Sequence, residues 1–187
     1  MPPGGGRVCD CGFGKNWLGR VSPQRVEQLP KRFSQRAAEP RKDKLDLEAD
    51  LWSAGLPGKG PPSLVIRGSS QTGKSFLAAR IAKRRARELG ERWLWAPAMM
   101  VAMASFEAVD GYLRADGLVV DDLGLGHDSP AFWSRLSSIC SARSDSEMPT
   151  IYTTRLSWRA IERADVSVAN RLRRERATWL ALKEAWQ

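Results

Sequence analysis

The sequence of 187 residues is poor in several residue types that would define a class at once. It has three cysteines, too few for a disulfide framework, and that scarcity fits a reducing compartment. It has no long hydrophobic run. The longest uncharged stretch, Trp93 to Phe106, is fourteen residues and carries Pro97, too short and too broken to cross a bilayer. The opening Met-Pro-Pro-Gly-Gly-Gly-Arg has no apolar run behind it and does not read as a secretory signal. A cytoplasmic protein with no membrane contact is the expectation. Acid is the minority charge, with 21 Asp and Glu against 30 Lys and Arg and one His, a net charge of +9. That excess suits a polyanionic partner and equally suits a soluble surface. With 42% hydrophobic and 27% charged residues, the chain has enough to build one ordinary core and an extension.

Texture divides the chain near residue 62. Residues 1–22 are Gly-rich, and residues 23–62 are charged and broken by Pro23, Pro30 and Pro40. A weak helical period runs from Arg41 to about Ala54 through Leu45, Leu47, Leu51 and Trp52. Leu56 to Pro62 reads as a linker. This separates an N-terminal extension and linker, residues 1–62, from a domain over residues 63–187. From Ser63 the pattern alternates. Strands are expected at 64–66, 93–95, 118–120, 150–153 and 178–182, with helices at 73–89, 98–113, 129–144 and 166–174 and a short one capped by Ser157. Strands separated by helices imply a three-layer α/β sandwich around a five-stranded parallel sheet.

Gly68-Ser69-Ser70-Gln71-Thr72-Gly73-Lys74-Ser75, followed by Phe76, fits G-x-x-x-x-G-K-[ST] between a strand and a helix. The glycines let successive N–H groups point inward at a phosphate, and the helix start adds its positive end. Lys74 is placed to reach the β- and γ-phosphates of ATP, and the Ser75 hydroxyl to ligate Mg²⁺. Asp121 and Asp122 end the apolar run Leu118-Val119-Val120. A carboxylate at the end of a buried strand can hold Mg²⁺ beside such a loop, which gives Asp121 the metal role. Asp122 beside it is the candidate base for the attacking water, one methylene shorter than a glutamate. A solvated acidic turn before Gly124 is the other reading.

With one strand between the loop and the acids, the order resembles the additional-strand P-loop ATPases. That resemblance implies that the fourth strand inserts between those two and presents a polar residue to the γ-phosphate. Thr153 or Thr154 is then the candidate, with Thr154 taken for the catalytic set; two β-branched residues at a strand end are the plain reading. Leu118-Val119-Val120-Asp121-Asp122-Leu123-Gly124 resembles the AAA+ branch that holds the DnaC/DnaI helicase loaders and the IstB-like transposition ATPases. Pro30-Lys31-Arg32-Phe33 is similar to the Pro-x-x-[Phe/Tyr] segment that precedes the ATPase domain in loaders. Ala169-Asn170-Arg171-Leu172-Arg173-Arg174 is similar to the box whose arginine acts as a finger on the neighbouring subunit's ATP. The resemblance implies that Arg171 is that finger, with Arg173 and Arg174 as alternatives; a surface arginine is the plain reading. Two departures stand out. Thr153-Thr154-Arg155 lacks the asparagine that typically ends the family's sensor strand, and only Lys183 to Gln187 follow the last strand, so no lid domain is expected.

The resemblance implies an ATP-dependent helicase loader that hydrolyses ATP slowly and is stimulated by partner or DNA. The short side chain of Asp122 points the same way. The resemblance also implies self-association through ATP at subunit interfaces, a replicative helicase docked on the N-terminal region, and single-stranded DNA as ligand. A transposition ATPase and an ATP-binding scaffold with little hydrolysis are the alternatives; a small-molecule kinase would need an arginine-rich lid. Cys9-x-Cys11 resembles part of a zinc ribbon, but zinc needs four ligands and only Cys140 and His127 remain. Lys83, Arg84, Arg85 and Arg87 form a basic cluster that could follow a phosphate backbone or simply be a solvated face. Trp17 and Trp52 are candidate partner anchors.

Overall fold

A computed structural model describes residues 26–27, 29–31, 33, 52, 62–124 and 129–182. Six parallel strands form one sheet: β1 (Val26–Glu27), β2 (Ser63–Gly68), β3 (Trp93–Pro97), β4 (Gly117–Leu123), β5 (Thr150–Thr154) and β6 (Ala177–Leu182). Their order is β1-β3-β4-β5-β2-β6. The five expected strands are therefore all present, and the fourth of them, β5, does lie between the strand before the glycine-rich loop and the strand before the acids. β1 is an addition to the expected set. It comes from the extension and pairs Val26 with Trp93 and Glu27 with Leu94.

Alternation along buried strands separates two cores. Leu64, Ile66, Trp93, Trp95, Val119 and Ile151 share one cluster with the apolar stripe of α1 (Lys74–Glu88), namely Ala78, Ile81, Ala82 and Ala86. Val65, Leu94, Leu118, Val120 and Tyr152 face the other way. They pack under α2 (Ala98–Ala102), α3 (Phe106–Arg114), α4 (Pro130–Asp145), α5 (Trp158–Ala164) and α6 (Val166–Arg171). Successive strand residues point to opposite faces, so a strand buried on both sides reads as the unbroken apolar run seen at 64–66 and 118–120. The sandwich has three layers.

Local chemistry explains where the helices begin. Ser129 accepts from Phe132 N with Pro130 at the first position, Ser157 accepts from Ala160 N, and Asp165 accepts from Val168 N. The single helix expected over 98–113 is two helices, because Ser105 caps a new one by accepting from Ala108 N. The helix expected to run to Arg174 stops at Arg171, and residues 172–176 turn into β6.

One buried arginine ties the lower edge of the sheet. Arg143 on α4 donates to Thr150 Oγ1 (2.9 Å), Tyr112 O (2.7 Å), Ala115 O (2.8 Å) and Pro149 O (2.9 Å). It thereby joins the end of α3 to the start of β5, and burial pushes its pKa down to about 10. The described residues of the extension pack on the same unit. Phe33 is buried, edge-on to Phe76 (4.7 Å between ring centroids) and tilted against Trp95 (5.4 Å). Trp52 lies edge-on to Trp93 at 6.5 Å, so it is half-buried against the core rather than presented to a partner. The rest of the 41–54 segment, Trp17, Cys9, Cys11 and His127 lie outside the described residues.

Candidate phosphate-loop site

The carboxyl ends of β2, β4 and β5 meet at one place, because those three strands are neighbours and parallel. β2 runs into residues 68–73, and α1 starts directly behind them at Lys74. Two glycines make this turn possible. A Cβ on Gly68 would sit 2.6 Å from Thr72 Oγ1 and 2.8 Å from Leu182 O, and Gly73 caps α1 with φ of +88°. The loop is braced from inside. Thr72 Oγ1 donates to Ser69 O at 3.0 Å, and Lys74 Nζ donates to the same carbonyl at 2.6 Å. Ser69, Ser70 and Gln71 are exposed at the rim, with Gln71 at φ of +63°. Phe76 points away from the loop's rim toward Phe33.

Lys74 is buried to 5% exposure. Burial lowers its pKa; Asp122 opposes that shift, Arg155 adds to it and Asp121 opposes it. The charges of Asp122, Arg155 and Asp121 are thus all felt at Lys74.

The acids sit in an irregular stretch of β4. Its register with β5 shifts between Val120 and Leu123, so Asp121 and Asp122 form a bulge and Asp122 takes φ of +61°. That conformation costs a non-glycine residue roughly 1–3 kcal/mol. Thr153 compensates. Its hydroxyl accepts from Asp122 N at 2.9 Å and donates to Asp121 Oδ1 at 2.6 Å. Ser75 Oγ donates to the same Oδ1 at 2.7 Å. One carboxylate oxygen therefore gathers the hydroxyls of the loop helix and of β5.

Of the two threonines, Thr153 reaches the acids. Thr154 is turned away: it donates to Leu123 O at 2.7 Å and accepts from Leu156 N at 3.0 Å. Both threonines are fully buried. Sequence alone leaves the two neighbours equivalent, because the alternation of β5 has a phase that only its packing fixes.

The oxygen pair of Ser75 and Asp121 fits the needs of Mg²⁺, which takes one or two protein oxygens beside phosphate and keeps the rest of its shell as water. Among the described residues no group of three His, Cys, Asp or Glu side chains could hold a metal unaided. Cys140 is buried against Tyr152 OH at 3.2 Å, and burial pushes its thiol up to about 12.

Arg171 lies elsewhere. Its guanidinium is paired with both oxygens of Asp145 at the end of α4. Arg173 stacks over Trp158 at 5.6 Å, and Arg174 is exposed. None of the three is brought to the chain's own loop by the contacts they make.

Comparison with known proteins agrees on the fold. A family model described as RNA helicase matches residues 64–150, from β2 to the first residue of β5. No curated protein matches the chain by sequence. Among solved structures, a putative primosome component from Streptococcus pyogenes serotype M3 is similar with a TM-score of 0.71 and 22% identity, over 89% of this chain and 97% of that one. A DnaC helicase loader is similar with a TM-score of 0.62 and 23% identity, over 82% and 100%. AMPPCP-bound DnaA from Aquifex aeolicus is similar with a TM-score of 0.64 and 16% identity, over 86% and 51%. The chain has the α/β fold of these P-loop AAA+ proteins, and its resemblance to the helicase loaders holds at the level of fold. Among the described residues no helix is long and apolar enough to cross a membrane.

Proposed function

Starting from the AAA+ P-loop fold, we propose that this chain binds ATP and uses it to assemble and to deliver a replicative helicase to single-stranded DNA. The observation that carries the reading is the meeting of Ser75, Thr153 and Asp121 at the mouth of the loop. Residues 68–76 hold the phosphates, with Lys74 leaving Ser69 O for a phosphate oxygen. Ser75 and Asp121 would hold Mg²⁺, which would supply positive charge against the phosphates. Asp122 takes the proton from the attacking water, and Thr153 keeps both acids in place. Thr154 supports the strand end from behind.

The finger is supplied by the neighbouring subunit through Arg171, so that ATP completes the site and joins the subunits in one event. Arg171 first has to leave Asp145. That engagement favours low turnover in the isolated chain, the property of an ATP-binding scaffold, until partner or DNA promotes assembly. The helicase docks on residues 1–62, and residues 63–187 carry the ATPase. DnaC is named as a helicase loader and one solved DnaA holds AMPPCP, which supports the assignment without fixing the partner.

Size measurement by sedimentation with ATP, ADP or no nucleotide, with single-stranded DNA present, tests this reading. A larger species with ATP alone is expected, and Arg171→Ala should abolish it while sparing nucleotide binding. The same species under all three conditions would refute ATP-driven assembly. Capture of a transposase instead of a hexameric helicase would move the chain to the transposition ATPases.

A further inference from the structure

Three contacts tie the described part of the extension to α1, the helix that opens at the phosphate loop. The Phe33 ring lies edge-on to Phe76 at 4.7 Å, Lys83 Nζ donates to Phe33 O at 2.6 Å, and Arg85 Nη1 donates to Trp52 O at 3.3 Å. They are not equivalent. Arg85 stands about 15 Å along the helix from Ser75, at 1.5 Å per residue, whereas Phe76 is the residue next to Ser75. Of the three, the Phe33 ring is the one that bears on the turn carrying Lys74 and Ser75.

That turn has little else to fix it. Helices α3 to α6 each begin with a Ser or Asp side chain that accepts from the first turn. α1 has no such bond: its cap is Gly73, and its first turn holds no acid. Phe33 itself is firmly held. It is 1% exposed, its N–H donates to Pro30 O at 2.9 Å to close a turn, and its ring fills the space between Phe76 and Trp95. Phe76 and Lys83 lie two turns apart on one face of α1, so the ring and the carbonyl of Phe33 grip the helix at two points. What the first turn has to hold is exacting. Ser75 Oγ sits 2.7 Å from Asp121 Oδ1, and a small rotation of the turn would part the two oxygens.

We propose that Phe33 is a positioning residue of the nucleotide site: packed on Phe76, its ring holds the first turn of α1 so that Ser75 stays beside Asp121. This rests on the loop being a Mg·ATP site. Phe33 touches neither nucleotide nor metal in this role; it acts through Phe76. Linkage makes the effect reciprocal, so Mg·ATP tightens the hold of residues 30–33 on α1 by the same factor.

Titration of ATP with and without magnesium tests it on the full chain, as wild type, Phe33→Ala, Phe33→Leu and Trp52→Ala, each also unfolded in urea. Phe33→Ala should cut the tightening by magnesium about five- to ten-fold and leave magnesium-free ATP within about two-fold. Phe33→Leu refills the space and should recover part of that loss. Trp52→Ala removes the contact at the far end of α1; it should also lower stability, yet keep the magnesium response. Hydrogen exchange supplies a measurement on the wild type alone, whatever the variants do: Mg·ATP should slow exchange of the Phe33 N–H about five-fold or more. An equal magnesium response in wild type and Phe33→Ala, an equal loss in Trp52→Ala, or a Phe33 N–H indifferent to Mg·ATP would overturn the proposal and leave the nucleotide site standing. Absence of ATP binding by the wild type would instead defeat the nucleotide reading, and the role of Phe33 with it.

Discussion

Two stretches carry much of the positive charge, and they use it in opposite ways. On α1 and its end, charge is tied up within the chain. Lys83 Nζ donates to Phe33 O at 2.6 Å and Arg84 pairs with Glu88 at 3.0 Å. Arg87 also pairs with Glu88, and the buried Arg85 binds Glu91 through Nε (2.7 Å) and Nη2 (2.5 Å) while stacking over Trp52 at 5.2 Å. Between residues 155 and 176 most of the arginines face out, Arg171 being the one paired with Asp145. Arg155, Arg159, Arg163, Arg174 and Arg176 are exposed, and among the described residues their side chains make no hydrogen bond or ion pair. Within the densest basic cluster of the sequence, Lys83 and Arg85 thus hold the extension to the core, whereas the more dispersed one is open to a polyanion. α5 and the turn after α6 adjoin, since Trp158 Nε1 donates to Ala169 O at 3.1 Å and Arg173 covers the Trp158 ring. Charge density along a chain is a poor guide to where charge is available.

The contrast can be broken most severely at Arg85. Arg85→Ala should lower unfolding stability by about 3 kcal/mol, because Glu91 and Trp52 O lose a buried partner. Urea denaturation measures it, and a drop below about 1 kcal/mol would deny the helix its inward role. Replacing Arg159, Arg163, Arg174 and Arg176 together by Ala should do the reverse. Stability should stay within about 1 kcal/mol, while single-stranded DNA binding weakens and its logarithmic salt slope becomes shallower by about 0.7 for each phosphate no longer neutralised. An unchanged salt slope would remove this surface from the DNA reading. Asp145→Asn shifts one arginine from the tied class to the free one. It should let ATP-dependent assembly begin at several-fold lower protein concentration, read by sedimentation, with stability altered by less than about 1 kcal/mol. The smallest effect is expected for Arg84→Ala, whose exposed pair with Glu88 should contribute about 0.5 kcal/mol or less and whose removal should leave DNA affinity as it was.

Much of this architecture was legible in the chain. Glycine spacing, a lysine and a hydroxyl before an apolar helix specify residues 68–76, and apolar runs ending in polar residues specify β4 and β5. Ser129, Ser157 and Pro130 mark helix starts through local bonding alone. What escaped depends on contacts between distant segments. Val26–Glu27 is too short to carry a periodic signal and becomes a strand only against Trp93–Leu94. The bulge at Asp121–Asp122 needs a hydroxyl from β5, so nothing in β4 itself announces it. The choice between Thr153 and Thr154 follows from the phase of a strand buried on both faces. Arg171 reads as a free finger until α4 brings Asp145 beside it. Trp52 reads as an anchor for a partner until Trp93 and Arg85 are seen to cover it.

The central claim is that Lys74, Ser75 and Asp121 form a Mg·ATP site. Equilibrium titration of ATP with and without magnesium, on the wild type and on Asp121→Asn, tests it most directly. The account predicts saturable binding by both proteins and tightening by magnesium in the wild type, with most of that tightening lost in Asp121→Asn. Equal response of the two proteins to magnesium, or no binding of ATP by the wild type, would contradict it.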